Sequence, residues 1–229
     1  MLSGLLFNLH KVGQSIYILN TLNLNKFKMK KLFFIAGVVA MTCTGFAQDM
    51  TFGAKAGLNL ASMTGDNVSD DAEMLIGAFV GGYANFAMTE KFSIQPEIVF
   101  SMQGNKETFT DDIEGEVETE TKLNYINIPV MAGYQVMEGL SLHTGPQLGI
   151  LLSAEDEDGN DMKDGAKTTD VAWAVGGSYR LNNLSFDIRY NMGLTTTQED
   201  DEYEEDGEMV TEEYDVKNSV IQFSVGYNF

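Results

Sequence analysis

The chain has a single cysteine, Cys43, which excludes an internal disulfide. Basic residues are scarce too: fourteen Lys and Arg stand against thirty-four Asp and Glu in 229 residues. That balance argues against a nucleic-acid partner, whose phosphates would repel the protein. No stretch carries a convincing helical repeat, and the prominent apolar run, Leu32 to Met41, is too short to cross a membrane as a helix. Acidic residues are missing altogether from 1–47.

That acid-free opening has an internal order. Lys30 and Lys31 follow Met29, the apolar run comes next, and Gly45-Phe46-Ala47 supplies a small-x-small cleavage site. Residues 29–47 therefore have the layout of a secretory signal peptide. Residues 1–28 share none of this logic and read as an upstream extension from a mis-called start, since Met29 opens the signal unaided. Cys43 lies inside the signal, and Ala40-Met41-Thr42 before it is a poor lipidation sequence. Cleavage leaves an exported mature chain, 48–229, with nine basic residues against thirty-four acidic ones.

From Gln48 onward apolar and polar residues alternate. Period-two segments predict eight strands, near 50–62, 75–88, 92–104, 121–136, 140–153, 168–181, 184–195 and 216–229. Three connections are tight, at Thr89-Glu90, Met137-Glu138-Gly139 and Asn182-Asn183. The other four are long, roughly 11–20 residues each, and hold twenty-seven of the thirty-four acids. In an up-and-down sheet, alternate connections emerge at the same end, so the acidic loops share one rim. Short turns at one end, long polar loops at the other and an even strand count predict an all-β fold. It is a closed eight-stranded antiparallel up-and-down transmembrane β-barrel. Such strands are long enough to cross a bilayer core when tilted.

A soluble lipocalin-like barrel has the same count and alternation, with its apolar face turned inward. The polar face separates the two. It collects Gly53, Gly57, Gly145, Gly149, Gly176, Gly193 and Gly226, and a narrow eight-stranded lumen needs small residues to close. The polar face is therefore the inside and the apolar face meets lipid. The ending VIQFSVGYNF alternates up to Phe229, as expected of a strand that pairs with the first and leaves no edge. Tyr227, Phe92, Phe86 and Tyr134 would form one aromatic girdle, and Trp173, Tyr125 and Phe100 the other. Pro96, Pro129 and Pro146 fall within strands, where bulges or bends are expected. The second strand, LIGAFVGGYANFAM, has bulky residues on both faces and no clear register.

Residues 48–229 also resemble the small outer-membrane β-barrel proteins often labelled "porin family", common in Bacteroidota. The resemblance is carried by FGAKAGLNLASM, FSIQPEIVFSMQG, YINIPVMAGYQV, LHTGPQLGILLS, RYNMGL and the terminal aromatic. It implies location in the cell outer membrane, contact with outer-membrane lipid, and insertion by the outer-membrane assembly machinery, with Phe229 as an assembly signal. It brings no reaction, cofactor or ligand.

The inward charges expected are Lys55, Glu97, Arg180, Asp187 and Arg189, with Gln95, Gln222 and His143 beside them, gathered in one self-neutralising layer. The only mature histidine, His143, follows a short turn, and the loops hold no histidine or cysteine, so no catalytic residues are assigned. Asp156, Asp158 and Asp161 in EDEDGND are candidate oxygen ligands for weak divalent-cation binding, although the loop lacks the EF-hand pattern. The reading is an outer-membrane barrel with a structural or surface-interaction role and a plugged lumen. The alternative is a narrow channel for ions or small solutes.

Overall fold

A computed structural model describes residues 50–229 apart from 67, 69–71, 112–114, 199–200, 206–207 and 213. The segments expected to be an upstream extension, 1–28, and a signal peptide, 29–47, with Cys43, lie outside the described residues. The strands are β1 (Met50–Thr64), β2 (Ala72–Ala87), β3 (Phe92–Asp111), β4 (Gly115–Met137) and β5 (Leu140–Glu155). They continue with β6 (Thr169–Leu181), β7 (Leu184–Gly193), β8 (Asp201–Glu205), β9 (Glu208–Glu212) and β10 (Lys217–Asn228). Eight of them close into an antiparallel barrel in the order β1-β10-β7-β6-β5-β4-β3-β2. The last strand pairs with the first from Gly53 opposite Asn228 to Thr64 opposite Lys217, so the barrel has no open edge.

Alternation along each strand decides which face is which. In β7 and its extension Leu184, Phe186, Ile188, Tyr190, Met192 and Leu194 are exposed, while Arg189, Asn191 and Gly193 are buried. Phe52, Ile76, Ile98, Val130, Leu142 and Val175 continue the apolar belt on other strands. Asn59, Glu97, Ser101, Asn127, Gln147, Arg189 and Gln222 are buried inside. The lipocalin-like arrangement is the reverse of this.

The register sets the lumen width. A path of directly opposed residues leaves β1 at Gly53, crosses Tyr83, Glu97, Gln147 and Ala172 in turn, and returns to β1 at Met63, a shear of ten residues. Eight strands with that stagger tilt by about 40° and leave room inside for little beyond side chains. Tyr83 shows how tight the fit is. A Cβ on Gly53 would overlap its ring, and Gly226 closes against the same hydroxyl. The tight turns carry the residues their backbones need: Gly139 has φ 80° and Asn182 φ 55°.

Several expectations are corrected. The three prolines lie in β3, β4 and β5, but the register passes through each unchanged. In β3–β4, for example, pairing stops at Pro96 opposite Val130 and resumes in step at Val99 opposite Asn127. A missing N–H removes a ladder bond without adding a residue, so no bulge is required. The irregularities lie elsewhere, between Met74 and Phe79, Asn124 and Tyr125, and Gln135 and Met137. The second acidic connection is mostly strand, since β3 and β4 stay paired out to Asp111 opposite Gly115. The fourth contains the hairpin β8–β9. β2 turns Phe79 and Tyr83 into the lumen. Tyr125 is also inside, packed with Leu123, Leu151 and Ala154, so it is no part of an outer girdle. Phe100 and Trp173 remain outside.

Candidate functional site

Strand parity points Lys55 of β1, Glu97 of β3 and Arg189 of β7 into the lumen, and closure makes them meet. β3 and β7 are four strands apart in either direction round the ring, so Glu97 and Arg189 face each other across the full diameter. Arg189 donates twice to Glu97, Nη1 to Oε2 at 3.1 Å and Nη2 to Oε1 at 2.9 Å. This fork-on-carboxylate geometry is the strongest form such a pair takes. Lys55 Nζ pairs with Glu97 Oε2 from a third direction. Gln95 Nε2 donates to Glu97 Oε1 at 2.9 Å. Glu97 and Arg189 are each 2% exposed and Lys55 7%.

Asp187 completes the charge balance, with Oδ1 3.8 Å from Arg189 Nε and Oδ2 3.4 Å from His143 Nε2. Neither of those nitrogens makes a hydrogen bond. Gly176, opposite both His143 and Arg189, leaves the space into which the imidazole reaches. Two cations and two carboxylates thus share one level of the lumen. Arg180 does not join them. It is exposed and lines the mouth of a cavity of about 330 Å³ that opens at the short-turn end and reaches up to Lys55, His143 and Asp187.

Toward the looped end, a neutral layer follows. Asn59 donates to Ser101 Oγ at 2.9 Å and accepts from Gln222 at 2.9 Å. Above it Asn218 Nδ2 donates to Asp170 Oδ2 at 2.9 Å and lies 3.4 Å from Tyr125 Oη. A second cavity, of about 270 Å³, opens at the looped end against Met63, Leu123 and Thr197. Asp170, Asn191, Asn218 and Tyr125 were not anticipated as lumen residues of interest. The available signal was the row of inward asparagines on β7 and β10 flanking Gly193.

The other candidate residues stay apart. Asp156 accepts from the backbone N–H and side chain of Asn160, both at 2.8 Å, and those bonds hold its carboxyl below the usual carboxylate range. Asp161 accepts from the Lys163 N–H at 2.9 Å. Among the described residues no group of three or more acidic, His or Cys side chains gathers at metal-binding spacing. Phe229 is exposed, its ring edge-on to Tyr227 at 5.6 Å, and its N–H donates to Phe52 O at 2.9 Å.

Among solved structures, the fold is similar to neisserial surface protein A, at a TM-score of 0.50 and 13% identity, covering 80% of this chain and 100% of that one. Ail of Yersinia pestis, solved with the heparin analogue sucrose octasulfate, is 14% identical over 80% of this chain and 100% of its own, with a TM-score of 0.42. OprG of Pseudomonas aeruginosa is 11% identical over 78% of this chain and 95% of its own, also at 0.42. At such identities the likeness speaks for the fold alone. No curated protein matches the sequence. Residues 46–199 match the family described as outer membrane protein beta-barrel domain. With its apolar face turned to lipid and its strands closed in a ring, the chain belongs to that family and resides in the cell outer membrane.

Proposed function

We propose that this barrel is a non-conducting outer-membrane scaffold that offers its acidic loops to the cell exterior. One observation carries the reading: the doubly bonded Arg189–Glu97 pair runs from one wall of the lumen to the opposite wall, with Lys55 bound at the same carboxylate. A lumen braced in this way leaves the rim as the place for interaction. There, twenty-seven carboxylates set a field that gathers counter-ions, including divalent cations held weakly and diffusely. No catalytic role is assigned, because the loops hold neither histidine nor cysteine. Phe229 serves as the contact read by the outer-membrane assembly machinery.

The alternative, a narrow channel for ions or small solutes, draws on the cavities that enter the lumen from both ends. It requires the brace to move. Reconstitution into planar bilayers separates the two. The scaffold reading expects no steady conductance from the wild-type protein. A large, steady conductance would replace it with the channel reading.

A further inference from the structure

The β3–β4 ladder outlasts the barrel. Its register runs unbroken to Asp111 opposite Gly115, whereas β4 and β5 part company beyond Lys122 opposite Glu155. There β5 ends, and the chain folds back on itself through Glu155 opposite Asp161 and the Met162 N–H bonded to Ala154 O. Residues 115–121 of β4 are therefore paired on one side only. Among the described residues, no backbone pairing occupies their other side. The result is a free strand edge about 23 Å long at the looped end.

Strand parity fixes which groups that edge presents. In an antiparallel sheet, alternate residues of a strand bond to opposite neighbours. The Gln135 N–H donates to Lys91 O at the foot of β3, and the Val130 carbonyl lies against Gly145 of β5. Odd residues of β4 thus address β3, and even residues address β5. Carried along the unbroken β3–β4 register, this leaves the N–H and C=O of Glu116, Glu118 and Glu120 turned to the free side. Strand edges are commonly blunted by lysine, proline, a bulge or a covering element. Residues 115–121 contain neither lysine nor proline and no register shift, and charge of one sign is what guards them. That charge opposes pairing with a second copy of the same edge. It favours a strand of opposite sign, because directly opposed residues of an antiparallel pair interact. Glu120 Oε2 already lies 3.1 Å from Lys122 Nζ, the contact a basic partner residue would make.

We propose that residues 115–121 are a docking edge for a basic, extended peptide segment, which adds to β4 as a further antiparallel strand. Main-chain bonds to positions 116, 118 and 120 give the attachment, and lysine or arginine opposite those glutamates gives the selection. The β8–β9 hairpin is a separate two-stranded sheet. The β4 edge, in contrast, continues a barrel strand held in register by β3, so less freedom is lost when a peptide docks there. Such docking deepens the scaffold reading and rests on it, since it takes the loops as the interaction surface.

The test uses the folded mature barrel in zwitterionic nanodiscs, where both rims are open to solvent, so its outcome is separate from the conductance that decides the scaffold reading. The probe is a fluorescent peptide, as long as the edge, that alternates lysine with threonine; binding is followed by anisotropy. It should bind saturably. The same peptide N-methylated at its lysines keeps the charge but loses the bonds to the edge, and should bind about tenfold more weakly. Amide exchange followed by NMR locates the peptide. Binding should slow Glu116, Glu118 and Glu120, while Val117, Thr119 and Thr121, which address β3, stay unchanged. Glu118→Gln and Glu118→Pro remove the same charge, but only proline removes the edge N–H. Affinity should fall about fivefold further in Glu118→Pro. Equal binding of the two peptides, or unchanged exchange at 116, 118 and 120, would overturn the docking edge and assign the attraction to the acidic rim as a whole. Absence of saturable binding would overturn it outright.

Discussion

Replacing Glu97 by alanine should unfold the barrel far more readily, and the structure sets the size of the effect. The substitution removes the partner of two buried cations at once. Lys55 borders the cavity at the short-turn end, so water can reach it and part of its loss is recovered. Arg189 is sealed on both sides and keeps only Asp187, at 3.8 Å. Breaking one side of such a pair costs about 3–5 kcal/mol, and hydration of Lys55 places the expected loss at the lower end. Removing the whole brace costs far less: Lys55→Met, Glu97→Leu and Arg189→Met together should recover most of the stability, because apolar packing replaces ions that were expensive to bury. Urea unfolding in phospholipid vesicles, read by the single tryptophan Trp173, measures both. A Glu97→Ala barrel within about 1 kcal/mol of wild type would refute the brace as a dry, coupled unit.

Three further outcomes are expected. Terminal sequencing of the protein extracted from outer membranes should begin at Gln48, and a terminus before residue 29 would overturn the processing scheme. Deleting Phe229 should lower the yield of assembled barrel without changing its melting once folded; unchanged yield would remove Phe229 as an assembly contact. Calcium titration of the purified barrel should show weak binding that salt abolishes. Tight stoichiometric binding lost on Asp156→Asn would instead make the 155–161 loop a genuine site.

Much of the fold was legible because closure depends on features a sequence displays openly. Period-two alternation marks each strand, turn residues such as Gly139 and Asn182 mark one end, and inward glycines state which face is crowded. The strand extensions were obscured by charge. Residues 105–111 and 115–120 carry enough acid to read as solvated loop, yet the backbone pairing of β3 and β4 runs on in unbroken register from Asn105 opposite Thr121 to Asp111 opposite Gly115. Tyr83 and Tyr125 were illegible because an aromatic on a strand is expected outside. Tyr83 faces inward where Gly53, its partner on the neighbouring strand, leaves room for the ring, and Tyr125 where Asn218 stands on the opposite wall. In the brace, parity alone gave Lys55, Glu97 and Arg189 a common face. That Glu97 and Arg189 stand on opposite walls follows from strand order and shear, which no local pattern contains. Arg180 shares the parity but lies too near the rim, so counting residues overstated its depth.

Contact between Arg189 and Glu97 across the lumen is what makes this barrel braced. The chain has only two arginines, Arg180 and Arg189, so labelling arginine with nitrogen-15 gives two guanidinium signals, and Arg180→Lys assigns them. Solid-state NMR in lipid, with carbon-13 in glutamate side chains, then measures guanidinium-to-carboxyl coupling directly. Strong dephasing of the Arg189 signal, lost in Glu97→Gln and matching the 2.9 and 3.1 Å contacts, is the result expected. An Arg189 signal that decays like that of exposed Arg180, with no coupling to any glutamate carboxyl, would contradict the braced lumen.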